Sequence, residues 1–308
     1  MVFSLREKGS CSVNEIYAIN PFFLNSEDVD ALERDKEIAK DIILLLGKFG
    51  MSEGRFIAEY PVEWSELFKS QLNKLKDTHR SRLEIMLAKR QADGIIGVQD
   101  PYLRSKAWIE NAVNAKLKYG NINSVIARND LGIKDVLSID DVLYASEFKD
   151  SRGGFIRSEI SSYKKILTPL FFKSTELYLQ DMHFHFEDYE KKKRMRRDVL
   201  RMFVELAAVS KRCKRIFLYL NSSKHPTRAS LDNLKYELVT VVKDLGVNGF
   251  SFEPKLVDPK DCHGRYIFGV KGGLQFDHGF DAFGSRATNN LRWLSTDEIT
   301  ALCQKYGI

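Results

Sequence analysis

Residues 176–186 read Glu-Leu-Tyr-Leu-Gln-Asp-Met-His-Phe-His-Phe. The stretch has the two-residue period of a strand, in which alternate side chains face opposite sides of a sheet. The period then changes. Residues 189–208 carry Met195, Val199, Met202, Phe203 and Leu206 at three- and four-residue steps, the stripe of an amphipathic helix. An apolar strand over 215–220 follows, then a second helix over 227–245 with Thr227 as its cap and Gly246 as its stop. Three short strands are predicted at 249–257, 264–270 and 273–276. A last helix over 296–306 has Ser295 at its cap and Glu298 three residues on. Strands alternating with helices, then strands in succession, imply a mixed sheet with helices packed on it. Residues 155–308 are therefore read as an α/β domain.

Toward the N-terminus, Ser-Arg-Gly-Gly at 151–154 makes the best linker. Before it the pattern is helical. Ser26 with Glu27 and Asp28 starts a helix that places Leu32, Ile38, Ile42, Leu45 and Leu46 on one stripe and stops at Gly47 and Gly50. Further helices are predicted at 64–75, 78–90 and 102–119. Residues 1–150 are thus expected to form a helical interaction or recruitment domain, giving a two-part α/β protein: helical first, mixed-sheet second.

Length and charge agree with that division. The 308 residues, 44% hydrophobic and 29% charged, have enough apolar material for two cores, which excludes a disordered chain. Residues 1–150 hold 21 Lys and Arg against 24 Asp and Glu, whereas residues 151–308 hold 27 against 18. Net charge is −3 in the first half and +9 in the second, so a polyanion belongs to the second. Cys11, Cys213, Cys262 and Cys303 form no Cys-x-x-Cys pair, which points to a reducing cytoplasm and away from structural zinc. The first ten residues lack a signal-peptide core, and no apolar run approaches the ~20 residues of a membrane span.

The densest chemistry lies at 262–290, CHGRYIFGVKGGLQFDHGFDAFGSRATNN. On a strand, His263 and Arg265 would share a face. An imidazole can attack phosphorus while a guanidinium grips the nonbridging oxygens. Lys271 and the amides of Gly272 and Gly273 are expected to join that pocket. The competing reading is a surface hairpin whose His caps a turn. His263-Gly264-Arg265-Tyr266-Ile267-Phe268, Gly272-Gly273-Leu274 and His278-Gly279-Phe280-Asp281 together resemble the single His-x-Arg motif of divergent phospholipase D-like domains. Relatives of this kind include the C-terminal domain of MIT-domain proteins and domains of bacterial phage-defence and mobile-element proteins. The resemblance covers about residues 160–308.

The resemblance implies that His263 is the nucleophile and that Arg265 replaces the family's phosphate-binding Lys. Gly284-Ser285 with Asn289 stands where the family has Gly-Ser-x-x-Asn, one residue too long, and Asp277 and Asp281 lie beyond the family's Asp. Catalysis in the family uses two His residues, so a homodimer would supply the second, without metal or cofactor. The MIT-type relatives bind acidic ligands without cleaving them.

Two further clusters bear on the same chemistry. Asp181, His183 and His185 would share one face of a strand, a geometry open to metal; the plainer reading is a polar strand end. In phospholipase D-like domains the corresponding strand runs toward the active edge, so the resemblance implies that His185 or Asp181 adjoins His263. Lys191, Lys192, Lys193, Arg194, Arg196 and Arg197 open the 189–208 helix, where positive charge opposes the helix dipole at a cost of about 0.3–1 kcal/mol per charge. A bound polyanion would remove that cost, although a solvated face is the common outcome of such runs. His225-Pro226-Thr227-Arg228 precedes a helix and is either a phosphate contact or a capped turn. Gly-rich nucleotide loops and a Ser-His-Asp order are absent.

The expected protein is a cytoplasmic, nucleic-acid-engaging component of a bacterial anti-phage system. In one version it is a dimeric, metal-independent nuclease acting through His263. In the other it is a non-catalytic scaffold that binds DNA, RNA, acidic lipid or further defence subunits.

Overall fold

The computed structural model describes residues 13–23, 32–128, 132–148, 153–184, 190–224, 227–280 and 288–308, without the side chains of 32–35, 147 and 190–195. The chain divides into two compact units, Asn14–Ser151 and Arg152–Ile308, with Val13 belonging to the second. Trp293 ties Val13 there by donating from Nε1 to the Val13 carbonyl at 3.2 Å.

The N-terminal unit runs β1 (Glu15–Ile19), α1 (Leu32–Gly47), β2 (Arg55–Glu59), α2 (Trp64–Leu72), α3 (Asp77–Asp93), β3 (Ile95–Gly97), α4 (Trp108–Tyr119), β4 (Ser124–Ala127), β5 (Val136–Ser138) and α5 (Ile139–Tyr144). Its strands form one sheet in the order β3-β2-β1-β4-β5, every neighbouring pair parallel. Tyr17, Ile19, Ile57, Ile95 and Ile126 pack on one face against Ile42, Leu45, Phe68 and Leu83. Ala18, Ala58 and Val125 pack on the other against Trp108, Ala112 and Ala115 of α4. Small residues on both sides of that second interface let α4 lie close to the sheet.

This corrects the expectation of a helical first domain. Four of its helices form where apolar periodicity put them, but a doubly wound parallel sheet runs between them. Strands covered on both faces carry short apolar runs such as Glu-Ile-Tyr-Ala-Ile and Ile-Ile-Gly, with no polar alternation to announce them. The start expected at Ser26 lies outside the described residues.

The C-terminal unit runs β6 (Gly153–Arg157), α6 (Ile160–Lys173), β7 (Glu176–Asp181), α7 (Glu190–Ser210), β8 (Arg215–Asn221), α8 (Arg228–Asp244), β9 (Ser251–Val257), β10 (Arg265–Gly269), β11 (Gly272–Phe276), β12 (Thr288–Trp293) and α9 (Thr296–Tyr306). Its seven-stranded sheet has the order β6-β12-β11-β10-β7-β8-β9. β7, β8 and β9 are parallel; β10 is antiparallel to β7 and β11, and β12 to β11 and β6. The mixed α/β sheet expected here is what forms.

Tyr178 and Phe268 turn to α9, where they pack with Leu294 and Ile299. The alternate residues Leu177, Leu179 and Ile267, all fully buried, turn to the opposite face. There Tyr163 of α6 stacks on Phe276 of β11 at 6.0 Å, and Phe171 of α6 stacks on Phe203 of α7 at 6.0 Å. The caps form as predicted: Thr227 accepts from the Ser230 amide, and Ser295 and Glu298 make a capping box.

In this unit β6, α6 and β12 escape the sequence reading. Helix α6 contains Pro169, which argues against a helix interior, yet the helix continues past it to Lys173. Gly153 and Gly154, read as linker, pair with Arg292 and Leu291. At the opposite edge, the Ser251 amide donates inward to the Lys214 carbonyl. The residues of alternate parity, Pro254 among them, therefore point their backbone outward, and proline removes one donor from the free edge.

Candidate functional site

The C-terminal sheet reverses direction at β7: β8 and β9 add to one side, and β10 returns to the other. Crevices that bind ligands in open α/β sheets form outside the carboxyl ends of strands at such a switch. Here the end of β7 meets the beginning of β10, with Asp181 paired to Arg265 and Gln180 to Tyr266. The end of β11 brings Asp277 and His278 to the same edge, and the beginning of β12 brings Asn289. Helices α7 and α8 each follow the carboxyl end of a parallel strand, so both start at this edge.

His263 arrives on the loop after β9, behind a 3-10 turn at Pro259–Asp261. That loop is held at four points. Cys262 is buried with its Sγ 3.8 Å from the Tyr219 carbonyl, and burial pushes its thiol up to about 11. The Lys305 ammonium donates to the Asp261 carbonyl at 2.6 Å. Gln180 Nε2 donates to the His263 carbonyl at 2.6 Å and reaches the Gly264 carbonyl at 3.5 Å. Gln180 Oε1 accepts from the Tyr306 hydroxyl, which burial raises above the ordinary phenol range and so keeps protonated. Gly264 has φ +99, and a Cβ there would stand 2.3 Å from the Tyr266 ring. The backbone is fixed while the His263 side chain is exposed.

The strand geometry expected for the pair is corrected. β10 begins at Arg265, and the positive φ of Gly264 breaks alternation, so His263 and Arg265 do not share a face by strand register. They share an edge. Arg265 Nη1 donates to the Asp277 carbonyl at 2.6 Å, and its Nε is buried without a hydrogen-bond partner among the described residues.

Two buried polar side chains shape the rest of the edge. Asp181, 0% exposed, accepts from the His183 amide at 3.0 Å through Oδ1 and from the Phe280 amide at 3.0 Å through Oδ2. Asn289, also 0% exposed, accepts from the His278 amide at 3.0 Å and donates to the Tyr163 hydroxyl at 2.7 Å and to the His278 carbonyl. A Cβ on Gly279 would fall 1.9 Å from Asp181 Oδ2. Asp181 and Asn289 thus clamp the main chain of 278–280. For Asn289 this is the position of a brace behind the edge.

The remaining expected residues divide. Lys271 sits in the β10–β11 turn, beyond the pair Gly269–Gly272, and a five-residue strand spans about 14 Å. It is therefore at the far end of β10 from His263, and the amides of Gly272 and Gly273 lie at that far end too; the pocket expected from them is corrected. Arg196 is 1% exposed and donates to the His183 carbonyl at 3.0 Å, which corrects its expected place on a polyanion surface. Arg197 grips Glu237 of α8 through Nε at 2.8 Å and Nη2 at 2.5 Å, so its guanidinium fork is already occupied. Lys191, Lys192, Lys193 and Arg194 lie in the first turns of α7, at the edge that carries His263.

β7 ends at Asp181, and the Phe184 amide turns back to the Asp181 carbonyl at 3.1 Å. The shared strand face expected for Asp181 and His183 is thereby corrected. His185, like His225, Asp281 and Ser285, lies outside the described residues. Among the described residues no group of three His, Cys, Asp or Glu side chains could hold a metal ion, and no helix is long and apolar enough to cross a membrane.

The sequence reading missed Gln180, Lys305 and Tyr306. A lone Gln inside an apolar strand was the available signal for the first; nothing local ties the end of α9 to residue 263. The N-terminal unit has its own switch point between β1 and β4, where Arg128 Nη1 lies 3.4 Å from the Phe23 carbonyl. Burial, and then Asp140, raise the Asp41 carboxyl there. No family model, curated protein or solved structure matches the chain.

Proposed function

We propose that the C-terminal unit engages phosphodiesters, above all nucleic acid, as a divergent phospholipase D-like domain with one His-x-Arg motif. The observation that carries this reading is the contrast at residue 263. Its main chain is fixed from β7 and α9, yet its imidazole is presented to solvent. Beside it stands Arg265, with a buried Nε that no group among the described residues satisfies. Burying an unpaired guanidinium nitrogen costs free energy, and an anionic oxygen would offset that cost. The basic first turns of α7 add long-range attraction for a phosphate chain.

In the catalytic version, two copies of the chain bring two His263 side chains to one phosphodiester. One imidazole nitrogen attacks phosphorus and forms a P–N bond as the P–O bond to the leaving group breaks. The second His263 gives its proton to that oxygen. It then takes a proton from water, whose oxygen displaces the first imidazole and releases the phosphate. Arg265 holds a nonbridging oxygen throughout. A cytoplasmic role in anti-phage defence, beside other defence subunits, follows from the sequence resemblance.

The second reading is a scaffold that binds the same chemistry without cleaving it. Two observations favour it: each chain supplies a single His-x-Arg, and Arg265 already spends Nη1 on the Asp277 carbonyl. The deciding experiment is cleavage of single- and double-stranded DNA and RNA in EDTA, wild type against His263→Ala, with binding recorded in the same samples. EDTA-resistant cleavage that His263→Ala abolishes establishes the nuclease. Binding without cleavage, unaffected by His263→Ala and weakened by changes at 191–194, establishes the scaffold. Neither cleavage nor binding overturns both.

A further inference from the structure

We infer that Tyr306 and Gln180 are positioning residues for His263: the last turn of α9 sets the place of the imidazole through a hydrogen-bond relay across the sheet. The inference rests on the proposed role of His263 in engaging phosphodiesters. A glutamine amide has two distinguishable ends, one accepting and one donating. With the Tyr306 hydroxyl donating to Oε1, Gln180 must present Nε2 to the carbonyls of His263 and Gly264. Gln180 is fully buried, so water does not replace either partner. Tyr306 is itself fixed, its ring 4.1 Å from that of Tyr219 and 6.2 Å from that of Phe268. Its neighbour Lys305 holds the same loop at Asp261. Two consecutive residues of one helical turn therefore reach two carbonyls of one loop, Lys305 directly and Tyr306 through Gln180. Gly264, which alone tolerates the bend at φ +99, then passes that position to Arg265.

The test uses the full chain in four forms: wild type, Tyr306→Phe, Gln180→Glu and Leu302→Ala. Tyr306→Phe keeps the ring and removes only the hydroxyl. Gln180→Glu sets a carboxylate oxygen against the His263 carbonyl. Leu302 packs on the same core from α9 as Tyr306, and its truncation controls for loosening of the helix while leaving every hydrogen-bonding group of the relay in place. Two quantities are read: the ring proton resonance of His263, assigned by its loss in His263→Gln, and the affinity for a fluorescent single-stranded DNA oligonucleotide.

Tyr306→Phe is expected to shift or broaden the His263 resonance and to weaken DNA binding about three- to tenfold, the range one hydrogen bond commands. Gln180→Glu should do more of both, and Leu302→Ala should lower the melting temperature while leaving both readings at wild type. The inference is overturned if Tyr306→Phe leaves the His263 resonance in place, or if Leu302→Ala moves it equally. If wild type binds no DNA, the functional reading fails, and the resonance alone still decides the relay.

Discussion

Asn289 shows what a buried polar side chain does when its partners are all backbone or buried. It satisfies both main-chain groups of His278 and the Tyr163 hydroxyl at once. Asn289→Leu, close in size, would strand those groups without water, and about 2–4 kcal/mol of stability should be lost. Urea unfolding checks it; a loss under about 1 kcal/mol would mean that water reaches the site. Gly279→Ala should cost a similar amount, because its methyl would force Asp181 off the Phe280 amide. The same burial governs the thiols. Cys213 is pushed up to about 12 and Cys262 up to about 11, so neither is a thiolate near neutrality. Iodoacetamide at mildly alkaline pH should leave both unlabelled in the folded chain and label both after denaturation, as read by peptide mass spectrometry. At this scale the sequence exposed residue types well and environments poorly. His263 and Arg265 stood out as a pair suited to phosphate. That Arg196 faces inward, while Lys191 to Arg194 open the helix, depends on which side of α7 meets the sheet, and a run of like charges conceals that.

Helix α9 is the element on which the candidate site depends, and its N-terminus is held by charge. Arg292 of β12 forks onto Glu298 at 2.9 and 2.5 Å, and Glu298 also closes the capping box with Ser295. The Arg292 hydrogen bond holds the Glu298 carboxyl at about 2, against an ordinary value of 4.5. Because the folded pKa lies below the unfolded one, the stabilisation is complete above about pH 4.5 and is lost as pH falls toward 2. Both side chains are over a third exposed, so solvent screening limits the pair to about 1 kcal/mol or less. Glu298→Gln should lower the melting temperature near neutral pH and make no difference at about pH 2; an equal difference at both would show that charge is not the cause. This helix was legible because the Ser295 cap, the Glu298 box and the apolar stripe are all local. The strands of the N-terminal unit were not. Strands of three to five mostly apolar residues leave neither alternation nor length, and only the helices around them carry a period. Between these extremes stands α6, whose apolar face is clear and whose Pro169 argues against it.

Across the whole molecule, charge separates by sequence half: −3 over residues 1–150 and +9 over 151–308. A phosphate chain drawn to the second half releases counterions for each phosphate it touches, so affinity falls linearly with salt on logarithmic axes. Lys191, Lys192 and Lys193 begin α7 at the switch-point edge, whereas Arg196 of the same run is buried and Arg197 is engaged by Glu237. Replacing those three lysines with Gln should weaken single-stranded DNA binding. It should also reduce the salt slope by about 2, since each phosphate neutralised on a single strand contributes about 0.7. Arg196→Gln is expected to act differently. Its guanidinium is buried against the His183 carbonyl, so the variant should unfold at lower urea while the folded protein keeps the slope of wild type. Fluorescence anisotropy from about 50 to about 300 mM salt, a span over which such slopes are steep, distinguishes the two. A slope unchanged by loss of the three lysines would remove the α7 end from the interface and leave His263 and Arg265 to account for phosphate alone. An equal drop in slope for both variants would instead mean that α7 turns more of its basic run outward when a polyanion is bound.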